Sequence, residues 1–137
     1  MKILIVDDDF MIRHLLKEIL RPYGDCDEVV NGNEAIQAFR LAWEDNEPYD
    51  LICMDIMMPD MDGHQALLEI RGIEEQLGTA LTSSEAKVLM ISALDDPRNV
   101  IQAYAKGGAT AYIVKPIEKE TLVAEIRKMG LALEAVN

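Results

Sequence analysis

Residues 49–63 read YDLICMDIMMPDMDG. The first six, after Pro48, form a nearly continuous apolar run. Such a run suits a strand buried on both faces of a parallel sheet, where neither face meets water and no polar alternation is needed. The run breaks at Asp55 into a loop rich in Pro, Gly and Asp. After Gly63 the spacing turns helical, from about residue 64 to 76. A buried strand thus delivers its chain straight into an acidic loop and then a helix.

The same strand–loop–helix unit recurs on both sides. Residues 2–6, KILIV, are a short β-rich run, and residues 9–20 place Ile12, Leu15, Leu16, Ile19 and Leu20 along one helical face. Pro22 and Gly24 stop that helix. Residues 26–30 make a weaker, acidic, edge-like strand. Asn31-Gly32 then turns the chain into a helix over about 33–44, with Ala35, Phe39, Ala42 and Trp43 inward. Beyond the central unit, residues 77–86 form a polar connection, part of an unusually long link over 72–86. Residues 87–91, KVLMI, give a fourth strand. Asp96-Pro97 supplies an N-cap followed by proline at the first helical position, opening a helix to about Lys106 that Gly107-Gly108 ends. Residues 111–114 are the fifth strand, closed by Lys115-Pro116. A last helix from near Glu118 carries Leu122, Ile126, Met129 and Leu133 and is expected to run almost to Asn137.

Five βα units in 137 residues favour an α/β fold, a doubly wound five-stranded parallel sheet. The flavodoxin-like order 2-1-3-4-5 is its common form, with helices on both faces. A (βα)₈ barrel needs roughly twice the length. The expectation is one domain over residues 1–137, with no linker to an output domain.

Composition narrows the function. Thirteen basic residues against 25 acidic give a net charge of −12. That argues against direct contact with nucleic acid, whose phosphates call for Lys and Arg clusters, and against an anionic membrane surface. No stretch approaches the roughly 20 apolar residues of a membrane span. The N-terminus turns acidic after six residues, with no secretory h-region, so a cytoplasmic location is expected. Cys26 and Cys53 form no metal or CxxC pattern, and Cys53, inside an apolar run, reads as a small buried thiol.

Polar residues stand immediately after four of the five strands: Asp7 and Asp8 after the first, Asp55 after the third, Ser92 after the fourth and Lys115 after the fifth. In a parallel sheet these ends share one edge. With order 2-1-3-4-5, the first and third strands flank the switch point where such folds bind ligands. Three carboxylates brought together there repel one another. A hard divalent cation relieves the repulsion, and Mg²⁺ suits such oxygen donors. Lys115 adds a compact positive charge and Ser92 a hydroxyl. A carboxylate so flanked is equipped for phosphoryl transfer, where positioning and charge neutralisation do most of the work. The product is an acyl phosphate.

The segments ILIVDDD (3–9), LICMDIMMPDMDG (51–63), VLMISA (88–93) and GGATAYIVKP (107–116), in that order on five strands, make the chain resemble a receiver domain of bacterial two-component response regulators, of the stand-alone chemotaxis-regulator type. The resemblance covers about residues 2–129. It implies that Asp55 is the phosphoacceptor, and that Asp8, with Asp7 close by, Asp55 and the backbone carbonyl of Met57 hold Mg²⁺. It implies that Ser92 and Lys115 contact the phosphoryl group and that Tyr112 is the switch aromatic. The face of the fourth helix, fifth strand and fifth helix then changes its partner. The implied donor is a phosphohistidine on a sensor histidine kinase or phosphotransfer protein, and the implied output is an unnamed downstream protein. A phospho-dependent dimer is compatible with the resemblance. Such a domain catalyses only its own phosphorylation and dephosphorylation, and is not otherwise an enzyme. Two positions that tune phosphoryl lifetime in the family are apolar here, Met57 and Leu94, and neither orients water well. Slow self-dephosphorylation is therefore expected.

The bland alternatives are weaker. Asp7-Asp8-Asp9 as a mere helix cap needs only one aspartate, and Asp9 is the best candidate for it. Tyr112 has the stronger competing reading, as an ordinary core aromatic. A phosphatase of the haloacid dehalogenase type carries a second Asp two residues after its nucleophile, where this chain has Met57. A pseudo-receiver typically lacks an acidic residue, the acceptor or the lysine, and all are present here. A flavodoxin-like cofactor binder needs a hydroxyl- and Gly-rich phosphate loop after the first strand, where three aspartates stand instead.

Overall fold

The computed structural model describes residues 1–78, 85–106 and 108–131. Five strands pair in parallel: β1 Lys2–Val6, β2 Asp25–Val29, β3 Leu51–Met54, β4 Lys87–Ser92 and β5 Ala111–Val114, in the order β2-β1-β3-β4-β5. The order is the expected one. β1 is an interior strand, with Ile3 opposite both Cys26 and Leu51.

The helices are α1 Phe10–Leu20, α2 Gly32–Glu44, α3 Gly63–Gln76, α4 Pro97–Ile101 and α5 Lys119–Lys128. Alternation along each strand divides the core in two. Leu4, Val6, Ile52, Met54, Val88 and Met90 face α2, α3 and the segment after α4, against Phe39, Leu67, Ile70 and Ala103. Ile3, Ile5, Leu51, Cys53, Leu89 and Ile91 face α1 and α5, against Leu16, Leu20, Leu122 and Ile126. Every residue of β3 is buried, as its unbroken apolar run requires. No helix among the described residues is long and apolar enough to cross a membrane.

Several boundaries move, each for a local reason. β2 spans Asp25–Val29 rather than 26–30, because the Val30 N–H leaves the sheet for the Glu34 carboxylate. Asn31 caps α2 through the Glu34 N–H, so the helix opens at Gly32. β3 starts at Leu51, not Tyr49. The Tyr49 side chain is buried, and its hydroxyl donates to Asp27 at 2.7 Å. Leu15, expected inward, is 39% exposed. The helix expected over 97–106 is α-helical only to Ile101 and continues as a π-turn over Gln102–Lys106. α5 does not run toward Asn137. It ends at Lys128, capped by Met129, and Gly130 follows at φ 88°, a left-handed conformation that favours glycine. Leu133, Gly107 and residues 79–84 of the long connection lie outside the described residues. Gly72, expected to begin that connection, is inside α3.

Candidate phosphoryl-acceptor site

β1 ends at Val6, and Asp7 follows as a buried residue, 1% exposed. Its carboxylate accepts the Asp9 N–H at 2.8 Å and the Lys115 ammonium at 3.1 Å. Arg13 donates to the Asp7 carbonyl at 2.8 Å. Asp9 is the true cap of α1, accepting from the Met11 N–H. This leaves Asp8 exposed, its carboxylate outside the capping arrangement.

β3 delivers Asp55, 5% exposed, beside β1, where its N–H donates to the Val6 carbonyl. Its carboxylate accepts the Ile56 N–H at 2.9 Å and lies 3.5 Å from the Lys115 ammonium. The acidic loop then folds back. The Gly63 N–H donates to the Ile56 carbonyl at 2.8 Å. A Cβ on Gly63 would stand 2.2 Å from the Asp55 carbonyl oxygen, so only glycine lets α3 start this close to the end of β3. Asp62 caps α3 in a reciprocal box with Gln65. Met57 is 61% exposed on the loop.

Ser92 ends β4 fully buried, with its Oγ accepting from the Leu94 N–H at 3.2 Å. The Lys115 N–H donates to the Ser92 carbonyl, which ties β5 to β4 beside the site. Lys115 precedes a cis peptide to Pro116. Tyr112 is part-buried, and its hydroxyl donates to the Leu94 carbonyl at 2.6 Å. The aromatic and the serine are therefore joined through one short loop. Burial holds the Tyr112 phenol above its usual range.

Carboxylate oxygens of Asp7, Asp8 and Asp55 all lie within 4.8 Å of one another. The fold has brought together three groups separated by up to 48 residues. Their charge is not balanced. Burial first, and the negative charge of Asp7 second, push the Asp55 carboxyl up to about 6 against the pull of Lys115 and the Ile56 N–H. Burial works against the Lys115 ammonium, but Asp55 and Asp7 outweigh it and hold its pKa above the usual value. Acid and base are raised together, so the cluster holds protons more tightly than its parts would alone. It is short of positive charge, and its donors are hard oxygens that suit Mg²⁺.

Ser92, Lys115 and Tyr112 stand at the same edge, from β4 and β5. Two buried polar groups were not anticipated. His64, 4% exposed in the first turn of α3, bonds Asn99. Glu74, fully buried near the end of α3, bonds Arg71 and the Ala86 N–H. The position of His64 directly after the loop glycine was the only signal available for the first. For the second, an Arg–Glu pair at i,i+3 on a helix reads as a surface pair.

Comparison with known proteins places these features in context. A family profile described as the response regulator receiver domain matches residues 3–127. The chemotaxis protein CheY of Bacillus subtilis is 36% identical over 129 residues, covering 93% of this chain and 95% of that one. A structure of the CheX–CheY–BeF3–Mg²⁺ complex from Borrelia burgdorferi superposes with a TM-score of 0.79 at 27% identity, over 96% of this chain and 90% of the other. A co-crystal structure of the Saccharomyces cerevisiae phosphotransfer protein Ypd1 with the receiver domain of Ssk1 gives a TM-score of 0.79 at 25% identity, covering 95% and 88%.

Proposed function

The chain belongs to the response regulator receiver domains of two-component signalling, and from that premise we propose that Asp55 accepts a phosphoryl group from a phosphohistidine donor, with Mg²⁺ held beside it. One observation carries this reading: three carboxylates converge within 4.8 Å at the β1/β3 switch point, and a single lysine reaches two of them. Asp8, Asp55 and the Met57 carbonyl would hold the cation, with Asp7 close by. When bound, Mg²⁺ neutralises charge on the phosphoryl oxygens and on the carboxylates.

A carboxylate oxygen of Asp55 attacks phosphorus, the bond from phosphorus to the donor imidazole nitrogen breaks, and an acyl phosphate remains. Lys115 faces the charge that builds on the phosphoryl oxygens. Ser92 turns its hydroxyl toward the new group, which disturbs its present bond with the Leu94 N–H. The Leu94 carbonyl is also the acceptor for Tyr112, so that loop passes the change to β5. The face so altered carries exposed Ile101, Tyr104 and Val114, apolar surface suited to a protein partner. The chain works in the cytoplasm between a sensor kinase or phosphotransfer protein and a downstream protein. It turns over no other substrate.

Purified protein given Mg²⁺ and acetyl phosphate should gain one phosphoryl mass, and Asp55→Asn should gain none. Equal labelling of Asp55→Asn, or labelling indifferent to removal of Mg²⁺, contradicts the assignment. Repeated turnover of an aryl phosphate would indicate a phosphatase instead.

A further inference from the structure

His64 opens α3 one residue after Gly63, the glycine packed on the Asp55 backbone. It is buried, and its Nε2 lies 3.0 Å from Oδ1 of Asn99 in α4. Asn99 in turn donates its Nδ2 to Oδ1 of Asp96 at 2.7 Å, and Asp96 caps α4 by accepting the Asn99 N–H. This chain of bonds fixes who donates. Asp96, like any aspartate without a raised pKa, is ionised at neutral pH and can only accept, and the bond from Asn99 lowers its carboxyl further. The Asn99 amide must then point its nitrogen at Asp96 and its oxygen at His64, and Nε2 must carry the imidazole proton. The other nitrogen, Nδ1, is buried and has no hydrogen-bond partner among the described residues.

An imidazole with one bond made and its other nitrogen unpartnered among the described residues is an unusual thing to keep in a core, since an apolar side chain would pack there without desolvation cost. What the histidine supplies is a directed bond between two elements. Its own element begins at the backbone of the acceptor strand. The element it holds is short, α-helical only over Pro97–Ile101 before the π-turn, and it follows the loop that leaves Ser92 at the end of β4 and passes through Leu94. Five helical residues have little stability of their own, so the placement of α4 depends on such tethers.

We propose that His64 is a positioning residue, a latch from the acceptor loop to α4 that transmits the state of Asp55 to the switch face by a route separate from Ser92 and Tyr112. This rests on the phosphoryl-acceptor reading above, and its consequences separate from it. His64 touches none of the reacting groups, so its loss should leave phosphorylation intact and uncouple α4.

The test measures two quantities on the same samples of full-length protein: phosphoryl mass after Mg²⁺ with excess acetyl phosphate, and amide hydrogen exchange along the chain. His64→Leu should take up phosphate as the wild type does. Before phosphorylation, amides of α4 should exchange roughly fivefold faster, the scale of one lost hydrogen bond. On phosphorylation, the exchange change at α4 should shrink while that at β5 persists. His64→Gln, whose amide can donate to Asn99, should restore the α4 response. Asn99→Ala should reproduce the His64→Leu pattern, and the double variant should add nothing to either single one. Nitrogen NMR of the wild-type imidazole should find Nε2 protonated. An α4 response in His64→Leu equal to wild type overturns the latch, as does the opposite tautomer or a failure of that variant alone to be phosphorylated. Failure of the wild type itself to gain phosphoryl mass overturns the site reading, and the latch with it.

Discussion

At the N-terminal edge of the sheet, the fully buried Glu74 carboxylate accepts from Arg71 and from the Ala86 N–H, while the Arg71 guanidinium also donates to the carbonyls of Ala86 and Gly108. At the C-terminal edge, Asp7 and Asp55 share one lysine, and Asp8 stands beside them. Both clusters hold buried carboxylates at the ends of the strands. Among the described residues the first sets one acid against one base, and it closes on backbone groups of Ala86, just before β4, and of Gly108, on the approach to β5. The second has more acid than base: burial first, and the charge of Asp7 after it, put the Asp55 carboxyl at about 6. A buried ion pair satisfied on all sides holds elements together. A buried cluster left with surplus charge is unstable by itself and binds whatever corrects the imbalance. The difference separates framework from site more cleanly than burial or charge does alone.

Breaking the matched cluster should have the largest effect. Removing one partner of a buried pair costs about 3 kcal/mol or more. Arg71→Leu should therefore lower stability by that order in a denaturant melt, with Mg²⁺ affinity of the folded protein unchanged. A loss of Mg²⁺ binding with little loss of stability would erase the contrast.

Relieving the surplus at the other edge should do the opposite. Asp55 holds its proton to about pH 6 in the folded chain, against 3.8 as the reference value. Between these values the folded state binds the extra proton. The contribution of Asp55 to stability is therefore present below pH 4 and lost as pH rises to 6. The raised Lys115 contribution persists through neutral pH and fades only above its ordinary range, so it does not cancel this slope. Metal-free Asp55→Asn should be more stable at pH 7 by on the order of 2 kcal/mol and should lack the slope between pH 4 and 6. A destabilised variant would mean the carboxylate is compensated after all.

A smaller effect sharpens the chemistry of the site edge. Met57 is exposed beside the acceptor, and Leu94 follows Ser92 by two residues. Polar replacements at both should speed loss of the phosphoryl group by roughly tenfold, about 1.4 kcal/mol off the barrier, as followed by intact mass over time. Unchanged lifetimes would show that side chains at these positions do not govern water.

Much of this was legible in the sequence for a physical reason. Buried parallel strands such as 51–54 and the apolar stretch 88–91 leave little room for polar residues, so a polar residue directly after each run marks the sheet edge. That placed Asp7, Asp8, Asp55, Ser92 and Lys115 together before any coordinates. The matched cluster was invisible because Glu74 and Arg71 look like an ordinary helix-surface pair, and only the tertiary fold seals them. His64 was passed over because its burial depends on α4 packing across it. The π-turn after Ile101 leaves no periodic trace, since it shifts backbone bonds without changing residue types. The early end of α5 was signalled by Gly130, but the apolar spacing that continues to Leu133 concealed it.

The surplus of negative charge around Asp55 can be measured on the carboxyl carbon itself, by NMR titration of the metal-free protein and again with saturating Mg²⁺. The expected midpoint is about 6 without the cation, falling into or below the ordinary carboxylate range once it is present. An ordinary midpoint near pH 4 in both titrations, indifferent to Mg²⁺, would contradict the account at its root.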